Sequence, residues 1–125
     1  RTRKVLGGGM RQVGVIAAAG LVAIREMIDR IPEDHANACA LAEGLAKLPH
    51  ISLDLNRVKT NFVMFDLLES APLSPDQFVD RLQKEFNILM RPYPGFKRTF
   101  RAVTHFWITP ERVATTVNAI RTLLA

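Results

Sequence analysis

A single cysteine, Cys39, in 125 residues excludes an internal disulfide framework and a cysteine-rich zinc site. It fits a reducing compartment, and the cytoplasm is the expected location. Long apolar runs are missing too. The longest candidate, Val13 to Ile28, is cut by Arg25 and Glu26 and followed by Asp29 and Arg30, so no membrane span is expected. Aromatic residues are sparse, with one Tyr, one Trp and seven Phe. Only Tyr93, Phe96 and Phe100 lie near a cationic cluster, which is thin support for a base-stacking surface. HExxH, paired-histidine, GxSxG and P-loop patterns are all absent, which removes the sequence signatures of a zinc hydrolase, a serine nucleophile and a nucleotide-phosphate loop.

What is present is a 48% hydrophobic composition with a formal net charge of +5. That is enough apolar material for one modest α+β domain and argues against disorder. The positive charge falls into two clusters, Arg1, Arg3, Lys4 and Arg11 near the start and Lys84, Arg91, Lys97, Arg98 and Arg101 later on. We read a subset of these cations as converging on a small anion, a phosphate or a carboxylate, and the rest as solvated surface charge. A basic nucleic-acid-binding domain is the rival from another class. The chain starts at Arg1 and not Met, with a glycine-rich turn, and is read as a piece of a longer protein.

Periodicity predicts a long helix over Met10 to Arg30, apolar on most sides and so expected to be covered by other layers. Pro32 breaks it, and Glu33 and Asp34 start a second helix carrying Leu41, Leu45 and Leu48 up to Pro49. Strands are expected over Ile51 to Leu55 and Asn61 to Leu67, the second apolar on both faces and therefore sandwiched or central. Ser74 and Pro75 open a helix with Phe78, Val79, Leu82 and Phe86 on one face. Ile88 to Met90 is a short strand candidate, Pro92 to Gly95 a turn, and Thr99 to Ile108 a long strand placing Arg101, Val103, His105 and Trp107 on one side. Thr109, Pro110 and Glu111 cap a last helix carrying Val113, Val117, Ile120 and Leu124. The expected architecture is α+β: a long connecting helix, then a small, mainly antiparallel sheet with helices on one face, divided as residues 1–30 and 31–125.

Two constellations can carry chemistry. Gly7, Gly8 and Gly9 followed by Arg11 permit close backbone approach beside a helix start, which suits an anion. Arg101 on a rigid strand can offer two parallel N–H donors to a carboxylate, although an ion pair with a helix residue is the alternative reading. His105 is not taken as a catalytic base, His35 is read as a first-turn residue, His50 and the pair Thr60 and Asn61 as turn residues, and Cys39 as packed and inert. No residue is assigned to a metal.

The segments Arg3-Lys4-x-x-Gly7-Gly8-Gly9-Met10-Arg11-Gln12, Ala17-Ala18-Ala19-Gly20, Glu33-Asp34-His35-x-Asn37-Ala38, Thr60-Asn61 and Arg101-x-Val103-Thr104-His105 occur in this order in the low-specificity L-threonine aldolases. The whole chain resembles the C-terminal third or more of that family. The resemblance implies the small C-terminal domain of a fold-type I enzyme dependent on pyridoxal 5'-phosphate (PLP), cleaving L-threonine or L-allo-threonine to glycine and acetaldehyde. It implies that Arg101 clamps the amino-acid carboxylate and that Arg11, with Lys4 nearby, lies at the cofactor phosphate, in a homodimer or homotetramer. The Schiff-base lysine of the family lies upstream of the segment matching Arg1. None of Lys4, Lys47, Lys59, Lys84 or Lys97 occupies its motif, so these residues alone are expected to be catalytically inactive. The sequence departs from the family at Phe106 and Trp107, and at Lys59. The nearest rivals are a β-eliminating lyase or an aminotransferase of the same fold type.

Overall fold

The computed structural model describes residues 1–125, which divide into two units, Arg1–Ile31 and Pro32–Ala125.

In the first unit, α1 (Thr2–Val5) ends at Gly7, whose φ of +81° turns the chain back. The amide of Gly8 donates to the carbonyl of Arg3 at 2.8 Å. A β-carbon on Gly9 would lie 2.8 Å from Cγ of Lys4, so a larger residue there would have to displace the Lys4 side chain. The expected helix starts later than Met10, because Gln12 adopts φ +51° and leaves the helical path. Helix α2 (Gly14–Val22) follows and widens into a π-helical turn over Ala23–Met27. The expected burial is not found: α2 and the π turn contain no buried residue, and Val15 is 80% exposed.

The second unit begins in α3 (Ile31–Ala46), with Pro32 in its first turn, where a missing N–H costs nothing. Next come β1 (Ile51–Ser52), a 3-10 turn over Leu55–Arg57, β2 (Phe62–Leu67), α4 (Pro75–Phe86), β3 (Thr99–Val103) and α5 (Pro110–Leu124). The sheet is antiparallel with order β1-β2-β3. Ser74 caps α4 in a reciprocal box with Gln77, and Thr109 caps α5 by accepting from the amide of Arg112.

Strand β2 is central but not sandwiched. Val63, Phe65 and Leu67 are buried under the helices, while Phe62, Met64 and Asp66 face away from them. Phe65 pairs with Phe100 across the strands and stacks on it at 5.4 Å, and Phe78 of α4 meets Phe100 edge-on at 5.3 Å. Leu41 and Leu45 of α3 and Val113, Val117 and Ile120 of α5 complete this core. Helices α3 and α5 touch closely, since a β-carbon on Gly44 would come within 2.7 Å of Val117 Cγ2.

Three strand expectations are shortened. Strand β1 stops at Ser52, because Asp54 accepts from the amide of Asn56 and caps the 3-10 turn. Residues Ile88 to Met90 are not a strand; the chain reaches the sheet two residues later, where Pro92 bridges to Phe100 and the amide of Tyr93 donates to the carbonyl of Thr99 at 2.7 Å. Strand β3 ends at Val103 and not Ile108. The buried Thr104 donates its hydroxyl to the carbonyl of Asp34 at 2.6 Å, and a turn closed by Ile108 N–H to His105 C=O carries the chain away. His105 therefore does not share the face of Arg101. Cys39 lies in α3 but is exposed, contrary to the packed position expected for it.

Candidate functional site

Strand pairing decides which side chains meet on the open side of the sheet. The opposed pairs there are Phe62 with Val103, Met64 with Arg101 and Asp66 with Thr99. Arg101 is thus directly across from Met64 and diagonal to Phe62, within reach for a long side chain. Its guanidinium carbon lies 5.5 Å from the centroid of the Phe62 ring and 5.4 Å from that of Tyr93. Both distances are in the range where a cation is attracted to an aromatic face.

Arg101 and Tyr93 stand between two concavities. The larger, about 620 Å³, is floored by the open sheet face and rimmed by Asp54 and Arg57. The smaller, about 420 Å³, runs toward Met90, Ile108 and Val113. Within the larger one, Asp66 is already engaged, accepting from the hydroxyl of Thr99 at 2.5 Å. The helices that could have supplied an acid for Arg101 cover the opposite face. An exposed arginine, placed by a rigid strand and lined by rings in place of carboxylates, keeps its N–H donors available for an incoming carboxylate.

The strand end that carries Arg101 is fastened by polar contacts. The side-chain amide of Asn61 donates to the carbonyl of Thr104 at 2.8 Å, and the amide of Thr104 donates back to the carbonyl of Asn61 at 3.0 Å. The Thr104 hydroxyl reaches Asp34 in α3, and Asn37 on the next turn of that helix donates to the carbonyl of Ile108 at 2.8 Å. Three of the ordered sequence motifs, around Asp34, Asn61 and Thr104, thus converge in one latch. Asn61, expected as a turn residue, belongs to that latch.

The other sequence-predicted residues fall as follows. Lys4 and Arg11 belong to the first unit, Lys4 in α1 against the glycine turn and Arg11 in the turn before α2; both are exposed. His105 Nδ1 accepts from the amide of Trp107 at 3.3 Å, a local turn contact. His50 Nδ1 lies 3.0 Å from the hydroxyl of Ser70. In the later cationic cluster, Lys84 pairs with Asp80 at 2.9 Å, and Arg98 donates to the carbonyls of Leu67 and Leu68. Sequence reasoning passed over Phe62 and Tyr93 as companions of Arg101. The strand register points to Phe62; the sequence places Tyr93 beside the later cationic cluster, but only the bridge of Pro92 to Phe100 brings its ring to Arg101.

The carboxyl group of Glu85 is held below its ordinary range by hydrogen bonds from the guanidinium of Arg81, four residues earlier in α4. That of Glu111 is lowered first by the Thr109 hydroxyl and then by its own backbone amide at the start of α5. Both lie away from Arg101 and concern helix stability.

Comparison with known proteins gives consistent results. Low-specificity L-threonine aldolase 1 of Arabidopsis thaliana is 35% identical over 119 residues, covering 95% of this chain and 32% of that protein. The low specificity L-threonine aldolase of Escherichia coli is 34% identical over all 125 residues, which cover 34% of it. The chain thus spans about a third of the length of these relatives. In three dimensions it is similar to a cystine C–S lyase solved with cysteine persulfide, with a TM-score of 0.70, 20% identity and coverage of 90% of this chain and 29% of that one. That likeness shows the shared fold, helices packed with a small antiparallel sheet. The beta-eliminating lyase family model matches residues 1–69, more than half of the sequence, and the chain belongs to that family.

Proposed function

We propose that these residues are the C-terminal part of a PLP-dependent aldolase, located in the cytoplasm, that cleaves L-threonine and L-allo-threonine to glycine and acetaldehyde. The observation that carries this reading is Arg101: a strand-borne arginine with no acidic partner, facing a concavity within a motif shared with threonine aldolases.

Each unit carries cations suited to one anion of that chemistry. Lys4 and Arg11 are exposed cations on either side of a glycine turn so tight that a β-carbon on Gly9 would strike Lys4. They suit a phosphate, and in this reading they hold the phosphate of PLP. When bound, PLP supplies an electron sink for the pair left on Cα. Arg101 has a different task. Its planar fork binds the substrate carboxylate and fixes the orientation of Cα, so that the Cα–Cβ bond meets the reacting geometry without a search through rotations. The latch of Asn61 and Thr104 keeps the strand end that carries this fork in place.

A homodimer or homotetramer is part of this proposal, on the resemblance to the threonine aldolases; the exposed Val15, Ile16 and Ile24 of α2 and its π turn leave an apolar surface to be covered in the full-length protein. Sedimentation of the full-length protein as a monomer at high concentration would remove that part of the reading. The internal engagement of Lys84 and Arg98 speaks against a continuous polyanion-binding surface, so no nucleic-acid partner is proposed.

The test is product analysis of the full-length protein with L-threonine, together with its Arg101→Ala variant. Aldehyde plus glycine is expected, with kcat/KM reduced by two orders of magnitude or more in the variant, about 3 kcal/mol. An unchanged kcat/KM overturns the clamp. Ammonia plus a keto acid would support the second reading, a β-eliminating lyase, which the family match favours.

A further inference from the structure

We propose that Phe62 and Tyr93 are positioning residues that hold the Arg101 guanidinium in its carboxylate-binding orientation; this rests on the clamp reading of Arg101 above. The two rings come from different parts of the chain. Phe62 starts the central strand β2, and Tyr93 sits in the segment that joins the outer side of β3, where its amide N–H donates a hydrogen bond to the carbonyl of Thr99. Both nonetheless reach the same guanidinium, at 5.5 and 5.4 Å.

An arginine on an exposed sheet face has a long flexible stem, and without restraint its charged end samples many rotamers. A carboxylate side chain would restrain it but would also occupy its donors. An aromatic face restrains it differently: it attracts the guanidinium through the ring quadrupole and covers its flat surface, leaving the N–H groups at the edge unoccupied. Two rings therefore pre-orient the fork at no cost in donors, which is the arrangement a carboxylate clamp requires. Tyr93 is in turn braced by Phe96, 5.8 Å away between centroids. Asp66, diagonal to Arg101 on the same face, accepts from the Thr99 hydroxyl and makes no ion pair with Arg101, whose guanidinium meets the two rings.

The experiment uses the full-length holoenzyme and measures the dissociation constant of glycine by titration calorimetry, alongside KM and kcat for L-threonine. The variants are Phe62→Leu and Tyr93→Leu, which keep apolar bulk and remove the ring, Phe62→Tyr and Tyr93→Phe, which keep it, and Arg101→Lys as the reference. Each leucine variant is expected to weaken glycine binding and raise KM by about three- to fivefold with kcat nearly unchanged. The ring-retaining variants should match the parent, and in an Arg101→Lys background the leucine substitutions should lose most of their effect. If Arg101→Lys weakens glycine binding and the leucine variants do not, the positioning role is wrong and the clamp stands. If Arg101→Lys leaves glycine binding unchanged, the clamp itself is wrong and the positioning role goes with it. Equal losses from leucine and ring-retaining variants would also overturn the proposal, because they would report packing. Should Phe62→Leu fail to fold, Tyr93→Leu, which lies outside the three strands, decides the matter alone.

Discussion

On the covered face of the sheet, Val63, Phe65 and Phe100 are at most 1% exposed, whereas one position along the same strands Phe62 is 46% exposed and Arg101 carries a charge without an acidic partner. The two faces are made by the same backbone and differ only through the two-residue period of a strand. One lesson is that the open face inherits its geometry from the covered one. The stack of Phe65 on Phe100 sets the register, and the register sets Arg101 opposite Met64 and diagonal to Phe62. A slip of one residue would bury the arginine and expose the rings, so the hydrophobic core also acts as the alignment device of the candidate site.

Breaking the covered face should have the largest effect. Phe100→Ala removes a side chain that meets both Phe65 and Phe78, and a loss of about 3–5 kcal/mol in the unfolding free energy of the full-length protein is expected from denaturant titration. Because the damage spreads through the register, glycine affinity should fall with it. Arg101→Ala sharpens the comparison from the other side, with catalytic loss of two orders of magnitude or more and a melting temperature within a degree or two of the parent. A substantial drop in Tm would mean that the two faces are not separable.

A smaller effect is expected at the latch. Thr104→Val keeps shape and β-branching but leaves the carbonyl of Asp34 without its buried donor, at about 1–3 kcal/mol. Both stability and KM should respond, since the latch ends the strand that carries the clamp. No change in either would assign the end of β3 to backbone pairing with Asn61 alone.

The smallest effect concerns pH. The carboxyl groups of Glu85 and Glu111 are depressed in the folded state, by Arg81 and by Thr109 respectively. Their unfolded value is about 4.3, so their stabilisation is complete above about pH 5 and is lost as pH falls through the lower folded values. Melting curves between pH 5 and pH 3 should therefore show a shallower decline for the Glu85→Gln, Glu111→Gln double variant than for the parent. Both groups sit on exposed helix surfaces, so glycine affinity at neutral pH should not change.

Helices α4 and α5 and their caps are legible because their signals are local. Ser74 with Gln77, Thr109 with Pro110, and the spacing of Val113, Val117 and Ile120 each lie within a few residues. Strand ends were not, because long-range partners decide them. Nothing between Thr104 and Ile108 looks unlike a strand, yet β3 ends where the Thr104 hydroxyl finds a carbonyl 70 residues away. Arg101 was legible as an anion binder from its residue type and setting, whereas its rings depend on the pairing of β2 with β3 and on a turn that no periodicity marks. The burial expected for α2 came from composition, and composition says only that a helix surface is apolar, not what covers it.

The way the segment after α4 meets β3 has a consequence for assembly. Bonding at Pro92 and Tyr93 occupies part of the outer edge of β3, and proline itself cannot donate to a neighbouring strand, while the opposite edge strand, β1, is two residues long. On the β3 border, addition of another strand is therefore hindered where Pro92 sits, whereas on the other border β1 covers only Asp66 and Leu67 and leaves Phe62 to Phe65 of β2 without a strand partner. The border beside β1 is thus the more open of the two to another chain.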